Sequence, residues 1–224
     1  MGTDIPLTWS VVIPVKVLAR AKSRLTGLAD GDRQALVLAM AADTVATALT
    51  CPAVGAVVVV SDDITVRAEV TSLGAQVVPD GGGDGLNEAL SAGAAYAAAR
   101  WPGSGLAALT ADLPALSAGE LAEALTAAVS VRQAFVADAS GIGTTLYAAV
   151  PGAPFRPRFG GQSRQRHRQA GATELDQFAA PGLKRDVDRI EDLRAAARIG
   201  LGQRSAALAA RLGLLAREYP SERY

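Results

Sequence analysis

The chain has 224 residues, half of them hydrophobic but few aromatic, so its core must be built mostly from Ala, Val and Leu. Lys plus Arg number 22 and Asp plus Glu 22, a zero net charge that excludes a chain-wide field for nucleic acid or membrane but not a local anion site. The single cysteine, Cys51, excludes an internal disulfide and, with no secretory leader pattern and no aliphatic run long enough to span a bilayer, leads to the expectation of a cytoplasmic protein.

Strand-like and helical patterns alternate along most of the length. Ser10–Val15 reads as a first strand and Asp32–Leu49 as an Ala-rich helix, ending before Cys51, a small core residue. Ala56–Ser61 follows as a strand, Ile64–Leu73 as a helix and Ala75–Val78 as a strand. Leu86–Arg100 is helical, Leu106–Thr110 a strand and Ala118–Val131 a helix. The alternation predicts an α/β fold with a mostly parallel, doubly wound sheet. It breaks at Ala134–Ala137 and Thr144–Val150, two strands with no helix between them. Residues 151–168, rich in Pro, Gly and Arg, read as a functional loop region, Leu183–Val187 as a last strand, and Ile190–Ile199 and Ser205–Glu218 as helices. The whole chain, 1–224, reads as one domain whose residues 203–224 form a C-terminal helical tail.

Four segments carry chemistry. The strand Leu106–Thr110 ends on Asp112, followed at once by Pro114. Ligands of open α/β sheets gather at strand carboxyl ends, and a carboxylate there needs a cation, such as a divalent metal. The competing reading makes Asp112 a cap for the helix near Ser117 or Glu120, or the closure of its own turn.

The first strand leads into Lys16, Lys22 and Arg24, three cations over the same edge that suit phosphate, with no P-loop glycine pattern. Alternatively they form a solvated basic turn. The segment Pro79–Leu90 combines four glycines with Asn87 in the first turn of a helix, where an amide suits a purine edge or ribose hydroxyls; the plain alternative is a surface loop and a helix start.

Between Gly141 and Arg168, the turn GIGTT precedes RPRFGGQSRQRHR, with five arginines and the only histidine within its last thirteen residues. So many like charges repel unless a counter-anion is present, which suggests a small polyanionic substrate. Gly160 and Gly161 leading into Ser163 resemble a helix N-cap with free amides, and His167 reads as an ordinary exposed helix residue. Lastly, Asp186 and Asp188 lie two apart on the expected strand Leu183–Val187 and its exit, so they share a face; Asp188 could also cap the helix from Ile190.

With these segments in hand, the chain resembles the guanylyltransferases of deazaflavin coenzyme (F-420) biosynthesis over roughly residues 11–201. The resemblance is carried by IPVK with AKSRL, LNEAL, ALTADLPAL, GIGTT, RFGGQSRQRHR and LKRDVD in that order. It implies a Rossmann-like (GT-A-like) nucleotidyltransferase fold of three layers. It also implies transfer of GMP from GTP to phosphoenolpyruvate, giving enolpyruvoyl-2-diphospho-5'-guanosine and pyrophosphate. By the same resemblance Thr144, Gly160 and Ser163 hold the three-carbon phospho acid, and Asp112, Asp186 and Asp188 hold Mg²⁺. Lys16, Lys22 and Arg24 join Asp112 in catalysis, while Lys16, Lys22 and Asn87 bind the nucleotide. A downstream transferase would receive the unstable product. The alternatives are 2-phospho-L-lactate as acceptor, another small-molecule nucleotidyltransferase, or a nucleotide-binding regulatory protein with a dead site. Oligomeric state, the number of metal ions and the role of His167 stay open.

Overall fold

The computed structural model describes residues 7–20, 22, 25–80 and 85–215. Among these, seven strands form one sheet: β1 (Trp9–Pro14), β2 (Val54–Val60), β3 (Gln76–Val78), β4 (Gly105–Leu109), β5 (Gln133–Ala137), β6 (Thr144–Ala149) and β7 (Thr173–Glu174). Their order is β3-β2-β1-β4-β6-β5-β7. β1 pairs parallel with β2 and β4, β2 with β3 and β5 with β7, whereas β6 runs antiparallel to both β4 and β5. The sheet is therefore mostly parallel, with one reversed strand.

Each central strand is apolar on both faces because both are covered. Val11 and Ile13 of β1 join one core and Val12 the other, the period of two that a strand imposes. The first face is packed by α1 (Asp30–Thr50), α2 (Ile64–Ser72), α4 (Ala118–Ala128), α6 (Pro181–Lys184), α7 (Ile190–Ile199) and α8 (Gln203–Arg211). The second face is packed by α3 (Leu86–Arg100), and α5 (Ser163–Gln169) sets His167 against Phe135 and Tyr147 there. The result is the expected three-layer α/β arrangement. Among the described residues no helix is long and apolar enough to cross a membrane.

Small residues set the spacing of the layers. A Cβ on Gly93 of α3 would lie 2.5 Å from Val12 Cγ1 and 2.7 Å from Val60 Cγ2, so only glycine lets this helix sit so close to the sheet. The helix starts follow local chemistry. Asp63 accepts from the amides of Thr65 and Val66 to cap α2, and Ser117 with Glu120 forms a capping box on α4. At the far end, buried Asp43 of α1 accepts from the amides of Arg204 and Ser205, capping α8 from outside and docking it onto α1.

Three expectations are corrected. Leu183–Val187 is not a strand: Leu183 belongs to the short helix α6, which Pro181 opens, and the next residues run as an irregular segment. α5 and the edge strand β7 arise within and just beyond the stretch read as loop. α8 starts two residues before Ser205 and ends at Arg211, while residues 216–218 of the expected helix lie outside the described residues.

Candidate active site

The reversed direction of β6 brings its N-terminal end beside the C-terminal end of β4. Leu109 pairs with Leu146, and the amide of Thr110 donates to the carbonyl of Thr145 at 3.0 Å. Lys16 after β1, Asp112 after β4 and Thr144 at the start of β6 therefore share one edge of the sheet. A cleft of about 340 Å³ opens there, with Lys16, Lys22 and Asp112 on its polar side and Leu86, Leu90 and Phe159 on its apolar side. Arg24 lies outside the described residues.

Asp112 is not a helix cap, since Ser117 and Glu120 perform that task themselves. Its Oδ2 accepts from the Lys22 ammonium, and its Oδ1 is buried without a partner. Lys22 adopts φ +51°, a left-handed conformation unusual outside glycine, and its ammonium also donates to Asp188. Burial alone would lower the lysine's pKa, but the charge of Asp112 and the hydrogen bonds to Asp112 and Asp188 outweigh it and raise it above the ordinary value.

The amide of Val187 donates to the carbonyl of Asp112 at 3.0 Å, which draws the residues on either side of it to the end of β4. Asp186 is raised to about 7 by burial and by the charges of Asp112, Asp138 and Asp188, with Lys22 pulling the other way. The N-cap of α7 is Arg189, not Asp188, and Asp192 in the first turn accepts from the amides of Asp188 and Arg189 at 3.2 and 2.9 Å. The donor set suits a hard divalent cation: clustered carboxylates, one with an orphaned oxygen. It is not pre-closed around one. Among the described residues no three acids are grouped as ready ligands, and the Lys22 ammonium lies between Asp112 and Asp188. The hydroxyls of Thr110 and Thr145 are also buried and unpartnered at this edge, a signal that sequence reading missed.

Phe159 brings the segment from Arg156 to α5 against this cleft. Gly160 and Gly161 hold φ +92° and +48°, a reversal that glycine accommodates readily. The N-cap of α5 is Gln162, with no side-chain cap, and Ser163 is the first helical residue, 1% exposed. His167 is not exposed: it is 0% accessible, with its ring stacked on Tyr147 at 4.9 Å and on Phe135 at 5.4 Å. Its Nε2 accepts from the amide of Arg158 at 2.9 Å, and its Nδ1 lies 3.0 Å from Thr144 Oγ1. One buried ring thus links Thr144 to the turn carrying Gly160 and Ser163.

Asn87 faces the same segment. Its Oδ1 accepts from the amide of Phe159 at 2.8 Å and its Nδ2 donates to the carbonyl of Phe159 at 3.2 Å. Both edges of its amide are used to hold backbone, so Asn87 joins the start of α3 to the Phe159 loop. Three of the glycines before it, Gly81 to Gly83, lie outside the described residues. The arginine cluster finds part of its counter-charge within the chain: Glu174 of β7 pairs with Arg164 at 3.0 Å and Arg168 at 2.7 Å. Arg156, Arg158 and Arg166 remain exposed and without an ion-pair partner among the described residues, around a second, shallower pocket.

The model of the family described as guanylyl transferase CofC like matches residues 9–209, nearly every described element of this fold. The chain belongs to that family. It is 56% identical over 209 residues to the phosphoenolpyruvate guanylyltransferase of Thermomonospora curvata, covering 93% of this chain and 92% of that protein. It is 54% identical over 207 residues to the protein of the same name from Streptomyces coelicolor, with 92% and 98% covered. Among solved structures, a candidate nucleotide-diphospho-sugar transferase from Desulfovibrio desulfuricans G20 aligns with a TM-score of 0.71 at 15% identity, covering 92% of this chain and 96% of that one. A nucleotidyl transferase from Methanothermobacter thermautotroptrophicus aligns at 0.61 and 19%, covering 86% and 97%. At such identities these structures speak to fold alone, and the fold is the nucleotidyltransferase one. Guanylyl transferases are nucleotidyltransferase enzymes, so the reading as a regulatory protein with a dead site falls away.

Proposed function

We propose that the chain transfers the guanylyl group of GTP to phosphoenolpyruvate, as a cytoplasmic enzyme of deazaflavin coenzyme (F-420) biosynthesis. The observation that carries this is identity above one half with phosphoenolpyruvate guanylyltransferases along nearly the whole of both chains. The cleft supports it with Lys22 and Asp112, which Lys22 joins to Asp188, facing the apolar side chains of Leu86, Leu90 and Phe159.

A phosphate oxygen of the acceptor attacks the α-phosphorus of GTP. The bond from that phosphorus to the bridging oxygen of the β-phosphate breaks, pyrophosphate leaves, and a mixed anhydride of GMP and phosphoenolpyruvate remains. A phosphate monoester, with a second pKa of about 6, is already ionised at neutral pH, so no side chain need take a proton from it. The work left to the protein is to neutralise and align two polyanions. Lys16 and Lys22 hold the β- and γ-phosphates and stabilise the departing pyrophosphate, with Arg24 assigned to the same task. Leu86, Leu90 and Phe159 flank the base, and Asn87 serves the nucleotide by fixing the loop against it. Thr144, Gly160 and Ser163 hold the phospho acid on the opposite wall. Asp112, Asp186 and Asp188 would hold Mg²⁺, which would supply charge neutralisation for the reacting phosphates.

Incubation with GTP, Mg²⁺ and either phosphoenolpyruvate or 2-phospho-L-lactate, with the downstream transferase present to trap an unstable product, tests the reading. Pyrophosphate release and a guanylylated product by mass are expected with phosphoenolpyruvate. Product with 2-phospho-L-lactate alone would change the acceptor, and turnover only with another nucleoside triphosphate would overturn the reading.

A further inference from the structure

The only histidine of the chain stands in the interior, next to the acceptor wall, and no step of the reaction uses it. Its environment determines where its proton sits. A backbone amide can only donate, so the amide of Arg158, 2.9 Å from Nε2, requires that nitrogen to be the unprotonated one. The neutral ring then carries its hydrogen on Nδ1, which faces Thr144 Oγ1 at 3.0 Å. That hydrogen faces both the Thr144 oxygen and the backbone carbonyl of Ser163, and since a protonated Nδ1 cannot accept, the hydroxyl hydrogen of Thr144 is left to donate elsewhere. Phe135 and Tyr147 stack on the ring and Phe159 meets it edge-on at 5.6 Å, which fixes its plane. A ring flipped within that plane would set carbon atoms against the Arg158 amide and Thr144 Oγ1 and lose both hydrogen bonds. Nor can the ring readily charge: burial and the neighbouring Arg166 and Arg158 oppose an imidazolium.

We propose that His167 is a positioning residue for the acceptor: one ring nitrogen orients the Thr144 hydroxyl as a donor toward the bound phospho acid, and the other holds the Arg158–Phe159 backbone so that Gly160 and Ser163 face it. This rests on the acceptor-site reading given above. Asn87 completes the arrangement from the opposite side, since the amide of Arg158 is held by His167 and the amide and carbonyl of Phe159 by Asn87. The backbone leading into the acceptor turn is thereby gripped at two successive residues.

The test is steady-state kinetics with each substrate varied, on His167→Phe, Thr144→Val and the double variant. Phenylalanine keeps the stacking and removes both hydrogen bonds, and His167→Asn is the second variant, restoring an amide toward Thr144. A lost hydrogen bond to a charged ligand corresponds to about a ten- to hundredfold change. The expected result is a rise of that size in KM for phosphoenolpyruvate in both single variants, with KM for GTP within about threefold of wild type. The double variant should be little worse than the worse single one, because the two residues act through one contact. His167→Asn should recover part of the loss. Equal weakening of both substrates, or fully additive losses, would overturn the proposal by making His167 a general packing residue. A raised acceptor KM in Thr144→Val with none in His167→Phe or His167→Asn would overturn the role of His167 alone. An unchanged acceptor KM in Thr144→Val would overturn the acceptor site itself, and the inference with it.

Discussion

The amide of Val187 donates to the carbonyl of Asp112, and this backbone contact is what gathers the acids. It joins the end of β4 to an irregular segment more than seventy residues later in the chain, placing Asp186 and Asp188 beside the strand-end carboxylate. Because the contact uses main-chain atoms alone, side chains here can be changed without untying the site.

The first prediction uses that separation. Asp112→Asn should lower turnover on the order of 10²-fold or more, since it removes a charged ligand at the position where transition-state charge is neutralised. The fold should survive, with the thermal midpoint close to wild type, because the Val187 contact is untouched. Near-normal activity at saturating Mg²⁺ would remove Asp112 from the metal role.

Lys22→Ala should raise KM for GTP and lower kcat together, each by about tenfold or more, the scale of a lost hydrogen bond to a charged group. In the structure the lysine pairs with Asp112 and Asp188. Its assigned work on the triphosphate requires it to exchange those partners for phosphate. Kinetics in which only the acceptor KM moves would transfer this loop to the other substrate.

Ser163→Ala distinguishes a helix cap from a ligand contact. Ser163 is not the N-cap, and the cap position bears no side-chain hydrogen bond. The substitution should therefore leave out the roughly 1 kcal/mol loss of a capping residue. The affinity for phosphoenolpyruvate should fall about ten- to a hundredfold, with GTP binding nearly unchanged. A stability loss with intact kinetics would return Ser163 to a structural role.

A fourth prediction concerns packing. Gly93→Ala would drive a methyl group into Val12 and Val60, both in strands and unable to withdraw. Overpacking of this kind costs about 1–3 kcal/mol, read as a lower urea midpoint. No change in the midpoint would show that α3 can lift from the sheet.

Much of the fold was legible because parallel strands buried on both faces must be continuous apolar runs, as in Val54–Val60, and because caps such as Asp63 and Ser117 mark helix starts. The failures have physical causes. Leu183 and Val187, both buried and four apart, passed for strand ends with polar residues between, whereas Pro181 in fact opens a helical turn. β7 has two residues, too few to show any period. Lys16, Lys22 and Asp112 were legible as neighbours because adjacent parallel strands deliver the residues just past their ends to one edge of the sheet. The burial of His167 was not, since α5 has barely two turns; the one available signal was its spacing of four from Ser163, which places both on the buried face. Glu174, which neutralises two of the clustered arginines, could not be assigned from sequence because its strand was invisible.

The last prediction comes from the neutrality of His167. Burial, then Arg166 and Arg158, hold its pKa at about 4 against an ordinary 6.5, and Tyr147, stacked on its ring, brings no negative charge at these pH values. Above pH 6.5 the ring is neutral in folded and unfolded chains alike, so it contributes no pH dependence. Between 6.5 and 4 the unfolded chain binds a proton that the folded chain refuses, so stability must fall as pH falls through this window. The slope approaches about 1.4 kcal/mol per pH unit, and the full loss is on the order of 3 kcal/mol. Below 4 the folded ring protonates as well and the dependence flattens. Carboxylates also titrate in this range, so the measurement is a difference: urea midpoints at pH 7, 5.5 and 4.5 for wild type and for His167→Asn. Wild type should lose more stability than the variant on acidification, with the gap closing as pH falls from 7 to 4.5. Identical pH dependence in the two proteins would mean that His167 is free to take up its proton in the folded state, and the tautomer assigned to it would be wrong.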